Sequence, residues 1–374
     1  MKNILISGYY GFRNSGDDAL LLAIANDLRA VFPPSELSLT VLSASPEATE
    51  KEYGLRAVNR MNPFSLLFSI LHCDLLLSGG GTLIQDRTST KSLLYYLAVI
   101  RLATLFGKKV MLYSNGIGPL REKHRGLTRR ALNRVSLITL RDPASRDELS
   151  LIGVNKPKIL LTADPAFSLL PESTARARAL LCGAGLEKEK KTFCLSVRPW
   201  ALLPDNADRI FAESMDELCR RENAQCVLIP MQPEKDTALC ESIRDKMTLP
   251  CAILPPCGIR DTLAVIGECS LCIGMRLHSL IYAVSRGVPV VGISYDPKIA
   301  GVMDYMGKKE YFDVKELSQK ALCDTAFSLL ERAEEFRADD EKRLAALREK
   351  ARENALLAYR LLTDGKKDEG RRAQ

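Results

Sequence analysis

An arginine and a histidine two residues apart, Arg276 and His278, are the side chains best placed to do chemistry. They lie in the stretch Gly274-Met275-Arg276-Leu277-His278-Ser279-Leu280-Ile281-Tyr282-Ala283. A short apolar run, Leu271-Cys272-Ile273, precedes them. The pattern therefore predicts a strand that ends, turns at Gly274 and starts a helix. Such a turn aims a fixed cation and a titratable imidazole at one spot, where the N–H groups of a helix start also point. That spot suits an anionic substrate that needs both charge neutralisation and a proton. The chain has three histidines, so one placed beside an arginine narrows the search.

Other candidates sit where strands are expected to end. The first predicted strand runs into Gly8-Tyr9-Tyr10-Gly11-Phe12-Arg13-Asn14-Ser15-Gly16-Asp17-Asp18. Its glycines permit a tight turn and close approach of backbone to a ligand. Their spacing is not G-x-G-x-x-G and no P-loop lysine follows, so a dinucleotide or ATP site is poorly supported. Asp17 reads either as a carboxylate favoured at a helix start or as a contact or base for a hydroxyl-bearing acceptor. Gly79, Gly80 and Gly81 end another strand and suggest a binding surface with backbone N–H groups left for a ligand; Asn115-Gly116-Ile117-Gly118-Pro119 repeats the theme. Arg141 ends a further strand, where it needs a carboxylate or phosphate: Asp142, Asp164 or a ligand. Arg198 raises the same question. Lys298, in Tyr295-Asp296-Pro297-Lys298, is either a solvated surface group or an ammonium near the His278 rim.

The elements that must position these residues alternate from end to end. Strands are expected at 3–8, 37–43, 73–78, 109–114, 137–140 and 159–161, with helices at 17–31, 89–106, 123–135 and 143–152. A second series has strands at 192–198, 225–230, 251–254, 271–273 and 289–293. Two βαβ series argue for an α/β protein with two doubly wound, parallel-sheet domains facing across a cleft. The boundaries predict an N-terminal domain over 1–170 and a C-terminal domain over 185–330. A charged helix over 331–364 is expected to pack across the junction, and 365–374 to fray.

Composition bounds the class. The 374 residues are 46% hydrophobic and 26% charged, as in a globular protein long enough for two cores. No run approaches the ~20 apolar residues of a membrane span. Ile4-Leu5-Ile6 is too short for a signal h-region, which predicts a cytoplasmic location. The eleven cysteines fit that placement, and Cys269-x-x-Cys272 reads as core packing rather than metal or redox work. Net charge is +7, and residues 1–170 carry all of it, with 21 Lys/Arg against 14 Asp/Glu. The excess concentrates in Arg121, Lys123, Arg125, Arg129, Arg130 and Arg134. This run is either a solvated helix face or an attraction for an anionic membrane or diphosphate. Nucleic acid is disfavoured, because no aromatics interleave the cluster.

Taken in order, these pieces resemble the polysaccharide pyruvyl transferase family, and most closely its CsaB-type members. The resemblance rests on Gly8-Tyr9-Tyr10-Gly11, Asn14-Ser15-Gly16-Asp17, Gly79-Gly80-Gly81, Gly116-Ile117-Gly118-Pro119 and Arg141-Asp142. It continues through Ala163-Asp164-Pro165-Ala166, Gly274-Met275-Arg276-Leu277-His278-Ser279 and Tyr295-Asp296-Pro297-Lys298. It covers roughly residues 1–300. One departure is Asn14-Ser15-Gly16-Asp17-Asp18, where a small residue followed by Gly-Asp-Glu is expected.

The resemblance implies a GT-B-like fold and transfer of pyruvate from phosphoenolpyruvate to a sugar diol, forming a cyclic ketal and releasing phosphate. For CsaB-type members it implies a 4,6-ketal on N-acetylmannosamine of a lipid-diphosphate-linked disaccharide, used in secondary cell-wall polysaccharide and S-layer anchoring. Phosphoenolpyruvate carries a carboxylate and a phosphate of about −1.5 to −2 charge. Arg141, Arg276 and Lys298 are the cations expected to hold it, and His278 the acid expected to protonate its methylene carbon. Asn14, Asp17, Gly79, Gly80, Gly81 and Gly116 are expected on the acceptor side, and the basic stretch 121–134 at the membrane or the diphosphate. Nothing in the sequence demands a metal or a cofactor. The nearest rivals are a nucleotide-sugar glycosyltransferase of the same fold and a non-catalytic sugar-binding module.

Overall fold

A parallel strand buried on both faces needs apolar side chains on both, and Ile4-Leu5-Ile6 supplies them at the centre of β1 (Lys2–Tyr10). The computed structural model describes residues 1–87, 89–332 and 337–363. After β1 come α1 (Ser15–Val31), β2 (Leu37–Ser43), α2 (Pro46–Tyr53), β3 (Arg56–Asn59), α3 (Pro63–His72) and β4 (Leu75–Gly79). Next are α4 (Thr90–Leu105), β5 (Lys109–Asn115), α5 (Glu122–Leu132), β6 (Leu137–Leu140), α6 (Pro143–Leu151) and β7 (Lys158–Leu161). These strands form a parallel sheet in the order β3-β2-β1-β4-β5-β6-β7.

Side-chain alternation along β1 splits the packing into two layers. Leu5, with Leu76, Leu112 and Ile138, packs under α3–α6 through Ile70, Leu97, Leu132 and Leu149. Ile4 and Ile6 face the other way and pack with Leu21, Ile24 and Leu28 of α1. That second layer is completed by Ala355, Ala358 and Leu362 from the end of the chain.

The remaining elements are α7 (Thr174–Gly183), β8 (Lys191–Ser196), α8 (Ala207–Glu222), β9 (Ala224–Leu228), α9 (Pro233–Arg244), β10 (Cys251–Ile253) and α10 (Ile259–Gly267). They continue with β11 (Leu271–Gly274), α11 (Leu277–Ser285), β12 (Val290–Ser294), α12 (Pro297–Met306), β13 (Tyr311–Asp313), α13 (Gln319–Glu331) and α14 (Arg337–Thr363). Their sheet, again parallel, runs β10-β9-β8-β11-β12-β13. In both sheets the order reverses beside the first strand, between β1 and β4 and between β8 and β11. Doubly wound sheets bind ligands beyond the carboxyl ends of strands at such a reversal.

The chain divides into two compact units. Met1–Arg13, Asp17–Ser168 and the chain from Leu347 form the first; Asn14–Gly16 and Leu169–Ala346 form the second. The α/β, two-sheet class expected from the sequence is the one found. Short elements were found that were not expected, among them α2, α3 and the edge strands β3 and β13. The long last helix also starts later than 331, because Ser318 caps a separate α13 by accepting the Ala321 N–H. The tail at 365–374 lies outside the described residues.

Candidate functional site

In the second unit three adjacent strands deliver cations to one rim. Ser196 of β8 and Gly274 of β11 are register partners, and the Met275 N–H donates to the Ser196 carbonyl at 2.8 Å. Arg198 and Arg276, each two residues further on, therefore leave neighbouring strands at equal depth. From β12, Asp296 accepts the Lys298 N–H at 3.1 Å and starts α12. The Lys298 ammonium lies 4.0 Å from the Asp296 carboxylate and is half-buried. Arg198 donates to the Tyr295 hydroxyl at 2.9 Å, its guanidinium lying over the rings of Trp200 and Tyr295.

Arg276 occupies the N-cap position of α11, and His278 is the second residue of that helix. The Arg276 guanidinium is held by Asp236 of α9, a wholly buried carboxylate: Nε donates to Oδ2 at 3.0 Å and Nη2 to Oδ1. Asp236 Oδ2 also accepts the Gln232 N–H at 2.8 Å. Arg276 is thus a fixed, partly neutralised cation rather than a bare one. The His278 imidazole is packed from one side by the Asn14–Gly16 segment. A Cβ added at Gly16 would lie 2.2 Å from His278 Nδ1, so glycine there lets the backbone approach the ring. That segment is pinned within the same unit by the Ser15 N–H to the Met231 carbonyl, 2.9 Å, and by the Tyr282 hydroxyl to the Ser15 carbonyl, 3.0 Å.

In the first unit Asp17, Gly79, Gly80, Gly81, Gly116 and Arg141 gather at the carboxyl ends of β4, β5 and β6. Gly80 and Gly81 have φ of +61° and +70°, which side chains rarely adopt. A Cβ at Gly81 would lie 3.1 Å from the Asp17 carboxylate. The expectation that these loops leave their N–H groups for a ligand fails at four positions, with the Ile117 N–H on the Ser145 hydroxyl and the Gly118 N–H on the Ile84 carbonyl, each at 2.8 Å. The Gly80 N–H donates to the Tyr113 carbonyl and the Gly116 N–H to the Gly81 carbonyl, each at 2.9 Å. Strands that end side by side satisfy one another's backbone.

Arg141 is 3% exposed. Its Nη1 donates to Asp164 at 2.8 Å and its Nη2 to the Thr82 hydroxyl at 2.9 Å. Of the partners left open by the sequence, both carboxylates meet its charge: Asp164 by a direct hydrogen bond, Asp142 with Oδ2 3.9 Å from Nε. The guanidinium also lies against Gly116, where a Cβ would sit 3.3 Å from Nε. The structure therefore brings Arg276, His278, Lys298 and Asn14 into the second unit, and Asp17, the glycine loops and Arg141 into the first.

Three relationships were not foreseen: Asp236 with Arg276, Gly16 with His278, and a His124–Asp86 pair elsewhere in the first unit. Asp236 is forty residues from its arginine and reads locally as a first-turn acid of α9. Gly16, inside the first turn of α1, breaks helix preference by about 1 kcal/mol, and that cost was the available signal. The third is a pair in the first unit: His124 Nδ1 lies 2.5 Å from Oδ2 of the buried Asp86, which also accepts the Arg121 N–H at 2.9 Å.

Comparison with known proteins fits this architecture. The chain is similar in fold to a putative UDP-N-acetylglucosamine 2-epimerase from Listeria monocytogenes, with TM-score 0.65, 14% identity and 96% of each chain covered. It is similar to the UDP-GlcNAc 2-epimerase of Neisseria meningitidis, TM-score 0.63 and 10% identity over 97% of this chain and all of that one. A glycosyltransferase from Rickettsia africae gives 0.62 and 11% over 96% and 98%. At these identities the likeness establishes the GT-B-like fold alone. In sequence the chain is 23% identical over 255 residues to the amylovoran biosynthesis protein AmsJ of Erwinia amylovora, covering 63% of this chain and 61% of that protein's length. The family model for polysaccharide pyruvyl transferase matches residues 14–297, which takes in Asn14, Asp17, the glycine loops, Arg141, Arg276 and His278. The chain belongs to the polysaccharide pyruvyl transferase family.

Proposed function

We propose that the protein transfers the pyruvyl group of phosphoenolpyruvate to two hydroxyls of one sugar, forming a cyclic ketal and releasing phosphate. The observation that carries this reading is the Arg276–His278 turn, where a buried ion pair fixes a guanidinium two residues from an imidazole at the second sheet's reversal. Arg198, Arg276 and Lys298 bind the donor carboxylate and phosphate, aided by the α11 N-terminus. His278, protonated, delivers its proton to the methylene carbon and makes C2 electrophilic. One sugar hydroxyl adds to C2, and its proton goes back to the His278 imidazole. The second hydroxyl then displaces phosphate from C2, and its proton leaves on the phosphate as hydrogen phosphate.

Arg141, fixed by Asp164 and Thr82 in the first unit, is the further cation for the donor in this reading. Asp17, with Asn14, is the acceptor-side polar group in this reading. The family assignment and the AmsJ likeness support a polysaccharide precursor as acceptor. The motif resemblance extends this to a lipid-diphosphate-linked disaccharide bearing N-acetylmannosamine, ketalised at O4 and O6 for S-layer anchoring, on the cytoplasmic side of the membrane. Among the described residues no helix is long and apolar enough to cross a bilayer.

Mass spectrometry of lipid-linked disaccharides incubated with phosphoenolpyruvate tests the reaction directly. Ketal and phosphate should appear in equal amounts. His278→Ala should lower turnover by about 10²-fold or more while phosphoenolpyruvate still binds in isothermal titration. Binding of nucleotide-sugar in place of phosphoenolpyruvate would overturn the reading.

A further inference from the structure

Helix α3 is apolar on its outer side as well as on the inner side, where Ile70 and Leu66 meet the core. Its residues Phe64, Leu67, Phe68 and Leu71 share one face by helical spacing, and all four are exposed, Phe64 by 84% and Phe68 by 57%. Ile70 alone is buried, and the small polar residues Ser65 and Ser69 are half-buried. Met61, just ahead of the helix, is 73% exposed. The neighbouring α4 adds Leu94, Phe106 and Leu105, the last 76% exposed. A helix on a water-facing surface carries polar residues on its outer side. Single exposed apolar residues need no explanation, but a contiguous group of large ones marks a contact surface.

We infer that the α3–α4 face docks on an anionic lipid surface, with α5 supplying the electrostatic half of the contact. Helices α3, α4 and α5 cover the same face of the first sheet, and α4 packs against both α3 and α5. Exposed on α5 and its flanks are Arg121, Lys123, Arg129, Arg130 and Arg134. From Arg56 to Val135 the sequence holds 13 Lys/Arg against 3 Asp/Glu. Of those acids, Asp74 accepts the Asn3 N–H and Asp86 is buried on His124.

Apolar insertion combined with a polybasic flank is the pairing that holds a protein reversibly on an acidic bilayer, neither half sufficing alone. Charge also decides against a second copy of this chain: a two-fold contact through this face would set like-charged clusters beside each other. The free end of α3 is prepared for an apolar setting. The Leu71 carbonyl takes the Lys108 ammonium at 2.6 Å, and the Phe68 carbonyl takes His72 Nδ1–H at 2.8 Å. The sequence left 121–134 open between a solvated face and an attraction for an anionic membrane or diphosphate; here it remains the electrostatic half, and α3 joins it as the inserting element.

The inference does not depend on the reaction, and its test needs no turnover. The full chain is floated with vesicles of phosphatidylcholine, with and without phosphatidylglycerol. Binding should require the anionic lipid, weaken as salt rises, and fall by about ten-fold or more in Phe64→Glu/Phe68→Glu. Both side chains are exposed, so circular dichroism should show the variant folded. Binding equal on neutral vesicles, or retained by the folded double variant, would overturn the inference. So would a dimer that the same double substitution dissolves.

Discussion

Asp236 and Arg276 are each other's counter-charge in the interior of the second unit, with Nε 3.0 Å from Oδ2 and the carboxylate closed off from water. A pair of this kind adds little net stability compared with an apolar pair, but losing one member strands the other. Asp236→Asn should therefore lower unfolding free energy by about 3–5 kcal/mol, read from urea denaturation. Removing both charges, as in Asp236→Leu/Arg276→Met, should restore much of that loss while turnover stays abolished. A change below about 1 kcal/mol in the single variant would mean the guanidinium reaches solvent.

Gly16 is the second prediction. An alanine methyl there cannot coexist with His278 at its present position, since 2.2 Å separates the two sites. The imidazole must rotate or the loop must shift. A misplacement on this scale costs about 10- to 100-fold in kcat when the ring transfers the proton. Phosphoenolpyruvate affinity should change little, because the cations proposed to bind it lie on other residues. An unaltered kcat in Gly16→Ala would remove His278 from the proton-transfer role.

Asp18 makes stability fall with pH. Burial, followed by the negative charges of Asp17 and Glu52, raises its pKa from 3.8 to about 8. Between those values the folded chain keeps a proton that the unfolded chain has released. Stability is therefore greatest below about pH 4 as far as this group is concerned, declines through the window, and levels off above about pH 8. Asp18→Asn removes the titration. Melting temperatures measured from about pH 5 to pH 8.5 should slope less steeply in the variant, and at the alkaline end the variant should be the more stable by a few kcal/mol. Parallel curves for the two proteins would exclude Asp18 as the source.

How far the structure was legible follows from where side chains point. The runs at Ile4-Leu5-Ile6 and Leu75-Leu76-Leu77 announce central strands because they are apolar on both faces. The edge strand β3 offers only Ala57 and Val58, too little to stand out, and β13 is three residues long. Helix α3 hid for another reason: its apolar residues cover the outer side as well as the inner, so no helical period survives. The Arg276–His278 turn was readable because strand, glycine and helix follow one another in the chain. Asp236 was not, since a buried pair spanning forty residues leaves no local trace. The Arg141 partners were narrowed to a short set, but only coordinates could show that Asp164 takes the direct hydrogen bond while Asp142 lies further off.

The last turns of α14 have a consequence for biosynthesis. Ala355, Ala358 and Leu362 are the lining of the α1 side of the first sheet, yet they leave the ribosome after the second unit has been made. Until then the layer that α1 only partly covers lacks these three residues and the Asn354 bond to Thr162, and exposed apolar surface of this kind is what chaperones recognise. A transcript truncated ahead of Leu347 would leave that surface bare for good.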